Sequence, residues 1–511
     1  MNLLNSLLPL SLKVESCLNL LLRVYHFFNV LSTTQVNHVF SPSQDVHSSE
    51  FRGIYNTSHT PSYLPWDTYN YCNAPHVNEA HYSRPPSTNA TLIHVTLMMR
   101  HHKRTPDNLY PNENALNPAE GWDCSSFIQE NHGNPSSSAR VYHNAFIPSW
   151  HPFKGRLWNG NCSAGQLTKE GLDDAVQHGK DLISVYRDFL AGEGGAGVTP
   201  ENIHIRTSNE DRTYQVAGAL LYGMDTSTKD ILWPVYVQPS NIDSLVPSYS
   251  CPAASALRAA SQSTPEWKTH LLQNQDLMDR LGEMLGTKGL GAWEEWFGRA
   301  DDHFFDTFAS RTCHSHPLPC NPNTKQCVSE EDARRVFALG DWEYNWIWNE
   351  APNAKLYTQL TFGVMVLELA TNLRALISPH DEARDLAHHE DSHPSKVPKM
   401  RIYVGHDGSL IRLASGLGIG KQDHNGRLRW PALGSEIILE VWSTPGSLSS
   451  SALVENKGDD VLTGEGNELL VRVLHEGSPV RGLEWVPFNE MLGLLESNVP
   501  PDLYDRCQSQ A

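Results

Sequence analysis

Short runs of apolar residues, each followed by a polar turn, recur along the 511-residue chain. Such runs cover residues 92–99, 203–207, 235–237, 400–405, 435–442 and 468–474. They are short, rich in Val, Ile and Leu, and bounded by polar or glycine-containing turns. These properties predict β-strands that are buried in a sheet.

Helical spacing of apolar residues appears between the predicted strands. In residues 166–190 it is set by positions such as Leu172, Val176 and Leu182, and Thr168 stands where a helix N-cap belongs. A second helix is predicted over residues 211–221. Because strands and helices alternate, the sequence predicts an α/β fold with a parallel sheet.

The chain divides by composition. Residues 1–32 hold two apolar runs that are too short to span a bilayer, and they are typical of a signal segment although no Ala-x-Ala cleavage pattern is present. Residues 33–90 are rich in Ser, Asn, His, Tyr and Pro, which predicts an irregular segment wrapping the core. Residues 91–511 form the predicted main domain, with a helical insertion over about residues 252–390 that covers the sheet.

The charge and the cysteines narrow the class of protein. A net charge of −19 argues against a nucleic-acid or anionic-membrane surface, which needs Lys and Arg to neutralise phosphates. Of nine cysteines, Cys17 lies in the predicted signal segment, so eight remain for four disulfides whose pairing the sequence does not give. Zinc binding by Cys313, Cys320 and Cys327 is the alternative, but a spacing of seven residues does not match paired CxxC ligands.

The sequence predicts that the protein is exported through the secretory pathway. Glycosylation sequons begin at Asn56, Asn89 and Asn161, and disulfides belong to oxidising compartments. We therefore expect a disulfide-bonded glycoprotein that is secreted, or that stays in the secretory pathway or a vacuole. A histidine-rich stretch from His388 to His393 could bind a metal, but a solvated surface loop is the favoured interpretation.

Polar residues that carry chemistry follow three predicted strands, at the edge where the carboxyl ends of parallel strands meet. They are Arg100, His101 and Arg104 after the first strand, Arg212 at the start of the helix after the second, and His406 and Asp407 after the strand at residues 400–405. A single arginine would be read as the partner of a surface carboxylate. Together, however, the six residues supply a nucleophile, a cationic clamp and an acid.

These motifs, in this order, resemble the histidine acid phosphatases of the branch with a large helical cap. The matching elements are Arg100-His101-x-x-Arg104-x-Pro106, Asp211-Arg212-Thr213 and Gly405-His406-Asp407, with Gly165-Gln166-Leu167-Thr168, Gly171 and Gly179 in support. Residues 64–76 look like the secreted acid-phosphatase-like subgroup of fungi and animals. The resemblance covers about residues 64–507. It implies a three-layer αβα core with a mostly parallel, phosphoglycerate-mutase-like sheet and an inserted helical cap.

The resemblance also implies a mechanism for hydrolysing small phosphate monoesters. His101 would attack phosphorus and form a phosphohistidine, and Asp407 would protonate the leaving group. The phosphate oxygens would be bound by Arg100, Arg104, Arg212 and His406, so that no metal or cofactor is expected. The three arginines should lower the pKa of His101 and keep it neutral for attack. Stable membrane insertion is not expected, and the sequence leaves a homodimer open.

Several alternatives stay open. Within the family, the substrate could be phytate or a sugar phosphate. Phosphoglycerate mutases share the Arg-His start but use a glutamate donor and lack the late His406-Asp407 pair. A non-catalytic secreted binding or signalling protein is the alternative of another class. One departure supports it, since His102 replaces the family's usual glycine, and we expect that this side chain could narrow the pocket.

Overall fold

A computed structural model describes residues 53–54, 58–85, 89–107, 109–117, 121–124, 128–130, 141–143, 148–160, 162–192, 197–290, 304–377, 397–420, 428–445 and 467–509. The predicted signal segment, the sequons at Asn56 and Asn161, and the stretch from His388 to His393 lie outside these residues. None of the described helices is long and apolar enough to cross a bilayer.

Ten strands are present among the described residues. They are β1 (Thr91–Arg100), β2 (Ile128–Glu130), β3 (Val141–His143), β4 (Ile203–Thr207), β5 (Val235–Tyr236), β6 (Met400–Gly405), β7 (Glu436–Pro445), β8 (Asn467–His475), β9 (Ser478–Pro479) and β10 (Val486–Pro487). Strands β2 and β3 form a separate hairpin. The other eight form one sheet in the order β10-β8-β7-β1-β6-β4-β5, with β9 paired to β8. All six predicted strands are therefore confirmed.

The sheet has a parallel half and an antiparallel half. Strands β1, β6, β4 and β5 are parallel neighbours, as predicted from the alternation of strands and helices. Strand β7 pairs antiparallel with β1, and β8 continues the antiparallel half. The apolar pattern of β7 and β8 did not reveal their direction, because burial on both faces gives the same hydrophobic run in either direction.

Twelve α-helices accompany the strands in the described part of the chain. They are α1 (Glu113–Leu116), α2 (Lys169–Ala191), α3 (Asp211–Met224), α4 (Pro252–Ser261), α5 (Pro265–Gln273), α6 (Gln275–Leu285), α7 (Phe304–Cys313), α8 (Glu330–Asn345), α9 (Ala354–Arg374), α10 (Asp407–Leu417), α11 (Phe488–Glu496) and α12 (Leu503–Gln508). Helices α2 and α3 pack on one face of the sheet, and α9, α10 and α11 cover the other. The three-layer αβα core is confirmed.

Helix α2 shows how the sequence specifies this packing. Thr168 caps it, since its hydroxyl accepts a hydrogen bond from the amide of Gly171. A side chain at Gly171 would put its Cβ 2.0 Å from the carbonyl oxygen of Lys103, so only glycine lets the helix start beside the segment that follows β1. At Gly179 the same test gives 2.1 Å to the carbonyl oxygen of Leu220, where α2 crosses α3.

The described residues from 252 to 377 contain helices and no strand. This segment includes α4 to α9, which agrees with the helical character that we expect for the insertion. The Cys251–Cys507 disulfide joins the residue before α4 to α12. The exact division of the chain into signal segment, irregular segment, main domain and cap stays a prediction.

Four disulfides join the eight cysteines that the structure describes. They pair Cys72 with Cys313, Cys124 with Cys162, Cys251 with Cys507 and Cys320 with Cys327. The prediction of four disulfides is confirmed, and the alternative zinc site at Cys313, Cys320 and Cys327 is wrong because each of these sulfurs is bonded to another cysteine. The Cys72–Cys313 bond fixes the segment before β1 to helix α7.

Candidate active site

Three adjacent strands end at the same level and deliver the predicted site residues to one edge of the sheet. Arg100 at the end of β1 lies opposite Gly405 at the end of β6, and Thr207 at the end of β4 lies opposite Val404. The residues that follow these strands therefore meet. All six predicted residues contribute to this cluster.

His101 has a defined orientation. Its Nδ1 lies 2.8 Å from the carbonyl oxygen of His102. A carbonyl oxygen only accepts, so Nδ1 carries the proton and donates it, which leaves Nε2 with a free lone pair. The ring stands edge-on to His406, with centroids 5.2 Å apart and planes at 72°.

The surroundings of His101 favour its neutral form. Burial lowers the pKa of this imidazole well below its usual range, and the positive charge of Arg212 lowers it further. Arg100, His406 and Arg104 act in the same direction. Because Nδ1 holds the single proton, Nε2 is available as a nucleophile.

Arg100 is 1% exposed and is held from several sides. It donates to the carbonyl oxygen of Pro431 at 2.5 Å and to the hydroxyl of Tyr71 at 3.3 Å. Its Nη2 also lies 3.2 Å from Oδ2 of Asp407. The guanidinium is thus oriented before any substrate arrives, which reduces the ordering needed on binding.

Two carboxylates orient the other arginines. Arg104 contacts Asp306 at 3.0 Å and Asp107 at 3.0 Å. Asp107 also lies 3.5 Å from Arg212, which donates to the carbonyl oxygen of Gly165 at 3.3 Å. Asp107 therefore bridges two of the three arginines.

Asp407 begins helix α10 and its carboxylate is fixed at both oxygens. Oδ1 accepts from the amide of Gly408 at 2.6 Å. Oδ2 accepts from the indole N–H of Trp430 at 2.7 Å and faces Arg100. The carboxylate thus lies against one of the clamp arginines, within the cluster that surrounds His101.

His406 uses both ring nitrogens. Its Nδ1 lies 3.5 Å from Nη2 of Arg212, which can only donate, so Nε2 carries the proton and donates to the Ser208 hydroxyl at 2.8 Å. Burial, followed by the charge of Arg212, lowers the pKa of His406 well below its usual range. A donor role of His406 toward phosphate stays a prediction, because it requires a change in one of these contacts.

Comparison with known proteins identifies the protein family of the chain that carries this cluster. The sequence model of the histidine phosphatase superfamily (branch 2) matches residues 91–475. The chain belongs to this superfamily. The match confirms the resemblance found from the motifs, and with it the enzyme class.

Relatives of this histidine phosphatase span most of its length. Counting factor 60 of Dictyostelium discoideum is 25% identical over 388 residues, covering 73% of this chain and 80% of that protein. The lysosomal acid phosphatase of Homo sapiens is 24% identical over 438 residues, covering 83% and 82%. Among solved structures, a Bifidobacterium longum multiple inositol polyphosphate phosphatase with inositol hexasulfate gives a TM-score of 0.47 at 12% identity, covering 85% of this chain and 99% of that one.

His102, which replaces the glycine usual in histidine acid phosphatases, has its side chain outside the arginine cluster. The side chain has no exposure, and its ring packs against His178 with centroids 5.4 Å apart. Its Nε2 lies 3.4 Å from Nδ1 of His178. The expectation that this side chain narrows the phosphate pocket is wrong, because the backbone directs it behind the end of β1.

The sequence patterns did not predict three residues that contact the site: Asp107, Asp306 and Trp430. Asp107 directly follows the Arg104-x-Pro106 motif, so its position was a usable signal. Asp306 and Trp430 are about 200 and 330 residues from His101 along the chain, and neither lies in a recognisable motif. Only the packing of α7 and of the segment before β7 brings them to the site.

No group of three or more His, Cys, Asp or Glu side chains arranged for a metal ion occurs in the part of the chain that the structure describes. The three arginines of the cluster, Arg100, Arg104 and Arg212, carry fixed positive charge of their own. The expectation that catalysis needs neither metal nor cofactor stays a prediction.

Proposed function

We propose that this protein is an acid phosphatase that hydrolyses small phosphate monoesters through a phosphohistidine at His101, without a metal. The observation that carries the proposal is the state of His101. Its Nδ1 donates to a backbone carbonyl oxygen, and burial together with the charges of three nearby guanidinium groups lowers its pKa well below the usual range, which favours a neutral ring with an unprotonated Nε2. A neutral imidazole among fixed cations suits attack on an anionic phosphoryl group.

In the first step, Arg100, Arg104 and Arg212 bind the nonbridging oxygens and stabilise the charge on them in the transition state. Nε2 of His101 attacks phosphorus. The N–P bond forms as the bond from phosphorus to the ester oxygen breaks. Asp407 gives its proton to that oxygen, so the leaving group departs as a neutral alcohol.

In the second step, water replaces the alcohol. The ionised Asp407 takes a proton from the water, whose oxygen attacks phosphorus. The N–P bond breaks, the electron pair returns to Nε2, and inorganic phosphate leaves. Because Asp407 must start each cycle protonated, we expect activity to be highest at acidic pH.

The disulfides, a glycosylation sequon and the relatives support a cellular location for the protein. Four disulfides belong to oxidising compartments, and Asn89, the one described sequon asparagine, is exposed. Lysosomal acid phosphatases among the relatives support the same route. We propose a secreted or vacuolar enzyme that enters the secretory pathway.

The test is to trap the intermediate. The enzyme is mixed with ³²P-labelled aryl phosphate at mildly acidic pH, quenched in base within milliseconds and digested. Label on the peptide containing His101 supports the proposal, and His101→Ala should give no label and no turnover. Label on a serine, or undiminished turnover by His101→Ala, would contradict it.

A further inference from the structure

Trp430 makes a single polar side-chain contact in the described structure, and that contact is with Asp407. Its indole N–H donates to Oδ2 at 2.7 Å, which is a charge-assisted geometry. The residue is 3% exposed. An indole donor in such a place is fully committed to the carboxylate.

The ring of Trp430 is not available to stack on a substrate. Phe305 covers one face, with ring centroids 4.1 Å apart and planes at 13°. Tyr344 also stacks on the indole, at 3.7 Å and 22°. The two stacked rings and the low exposure exclude a role as an aromatic platform for the leaving group.

The backbone of Trp430 is fixed as firmly as its ring. Its amide donates to Asp341 Oδ1 at 2.9 Å, and its carbonyl oxygen accepts from the hydroxyl of Tyr69 at 2.7 Å. Asp341 belongs to α8, and Tyr69 precedes β1. Helices of the inserted region and the N-terminal segment therefore set the place of the indole relative to Asp407.

The three hydrogen-bond donors to the Asp407 carboxylate differ in how a bound phosphate would affect their contact with it. The amide of Gly408 belongs to the same helix turn and constrains Oδ1 only. Arg100 contacts Oδ2, but a bound phosphate competes for its guanidinium. In the part of the chain that the structure describes, the indole N–H of Trp430 donates to Asp407 and not to the side chains of the arginine cluster, so we expect its bond to Oδ2 to persist when the substrate binds.

We propose that Trp430 is the positioning residue of the proton donor, and that its indole N–H sets how well the enzyme expels poor leaving groups. The inference rests on the proposed role of Asp407. A carboxyl group held at Oδ2 keeps its orientation toward the ester oxygen when the phosphate competes for the guanidinium of Arg100. Without this bond the carboxyl group can rotate away from the ester oxygen. Fewer enzyme–substrate complexes are then aligned for proton transfer to the leaving group.

Trp430→Phe tests the inference, because it removes the N–H and retains an aromatic ring between Phe305 and Tyr344. The readout is kcat/KM across a series of aryl and alkyl phosphates with leaving groups of rising pKa. For alkyl phosphates we expect a loss of about 30-fold, below the 10²- to 10⁴-fold typical of a whole acid–base group. For p-nitrophenyl phosphate, whose leaving oxygen needs no proton, the loss should stay near threefold.

Trp442→Phe is the matched control. Trp442 is also buried, and its indole N–H also donates to a carboxylate, Oε2 of Glu440 at 3.0 Å, but in the sheet away from the site. The control should lose stability to a similar degree, and its kcat/KM ratio between alkyl and aryl phosphates should equal that of wild type. Thermal unfolding of both variants confirms that folded proteins are compared.

A double variant separates positioning from general damage. On the Asp407→Asn background, Trp430→Phe should cause no further loss with alkyl phosphates, because the proton that it positions is gone. Equal losses of Trp430→Phe on aryl and alkyl phosphates, or additive losses in the double variant, would overturn the inference. If Asp407→Asn itself shows no leaving-group dependence, the failure lies in the proposed proton donor instead.

Discussion

His101 and His102 are neighbours in the chain, and both are buried with a pKa well below the usual range. Burial is the largest cause in both cases, but the second cause differs. For His101 it is the charge of Arg212, whereas for His102 it is the neighbouring imidazole of His178, which disfavours a second positive charge beside it. Successive residues leaving a strand point to opposite sides. One histidine therefore enters the arginine cluster and the other a closed interior.

The interior side of this pair is a cluster of ionisable groups, defined here as His76, His102, His178, Asp181 and Glu436. His178 Nε2 lies 3.0 Å from Glu436 Oε2, and its ring stacks on His76 at 4.1 Å. Burial raises the pKa of Glu436 to about 7, while burial and the charge of His76 lower that of His178. Burial thus drives both Glu436 and His178 toward their uncharged forms.

A lowered pKa therefore does not by itself indicate a catalytic histidine. The charged neighbours of His101 include three arginines, whereas those of His102 are His178, His76 and Lys103. The contribution of His102 to the site is its carbonyl oxygen, which accepts from Nδ1 of His101. Any residue provides that carbonyl, so the histidine in place of glycine is compatible with activity.

Removing the side chains of His101 and His102 one at a time tests whether they serve different roles. We expect His101→Ala to lower kcat/KM on an aryl phosphate by at least about 10³-fold, because the nucleophile is lost. Its free energy of unfolding should fall by about 1–2 kcal/mol, less than that of His102→Ala, because a buried ring and its hydrogen bond to the carbonyl oxygen of His102 are lost but no attractive ion pair is. Steady-state kinetics and urea unfolding measure both quantities.

His102→Ala should show the reverse pattern. We expect a loss of about 2–4 kcal/mol in stability, because it leaves a cavity and removes the partner of His178 Nδ1. Activity of the folded variant should stay within about tenfold of wild type, since the backbone carbonyl is retained. A His102→Ala protein that is stable yet inactive would show that the side chain itself serves the chemistry.

A smaller effect concerns the pH dependence of stability through Glu436. In the unfolded chain its carboxyl loses its proton near pH 4.5, but in the folded protein only near pH 7. Between these values the folded state binds more protons, so this group lowers the free energy of unfolding as pH rises, by up to about 1.4 kcal/mol per unit. Glu436→Gln cannot titrate and should lack that slope.

The measurement compares the two proteins by urea unfolding at pH 5 and pH 7. The free energy of unfolding of Glu436→Gln minus that of wild type should increase by about 2 kcal/mol from pH 5 to pH 7. The histidines are common to both chains, so the difference reports the titration of Glu436. Parallel stability curves for the two proteins would show that Glu436 titrates normally and that the cluster does not retain its proton.

The smallest effect is expected at the outer end of the cluster. Asp181 is partly exposed and lies 2.9 Å from Nε2 of His76. Although burial opposes charge on His76, the hydrogen bond to Asp181 contributes to raising its pKa. That stabilisation is present below about pH 6.5 and is lost as pH rises through the folded pKa.

Asp181→Asn should therefore cost about 0.5 kcal/mol at pH 5 and less at pH 8, with solvent screening keeping the effect small. Activity should be unchanged within about twofold, because the pair lies outside the arginine cluster. Thermal unfolding at the two pH values checks the sign. A larger loss at pH 8 than at pH 5 would show that His76 is neutral in the folded protein.

Local patterns were sufficient for much of the fold and for the candidate site. Apolar runs identified six of the ten described strands, helical spacing identified α2 and α3, and Thr168 marked the start of α2. The same reasoning put Arg100, His101, Arg104, Arg212, His406 and Asp407 at one edge, because the carboxyl ends of parallel strands meet there. These features depend on neighbours within a few residues, which is the range over which periodicity and capping act.

Tertiary structure decided what periodicity does not encode. The antiparallel direction of β7 and β8, the inward orientation of His102, and the arrival of Asp306 and Trp430 at the site all depend on contacts between distant segments. Asp306 is 202 residues from Arg104, the arginine that it orients. The sequence alone determined which groups could perform the chemistry, and packing determined which groups hold them in place.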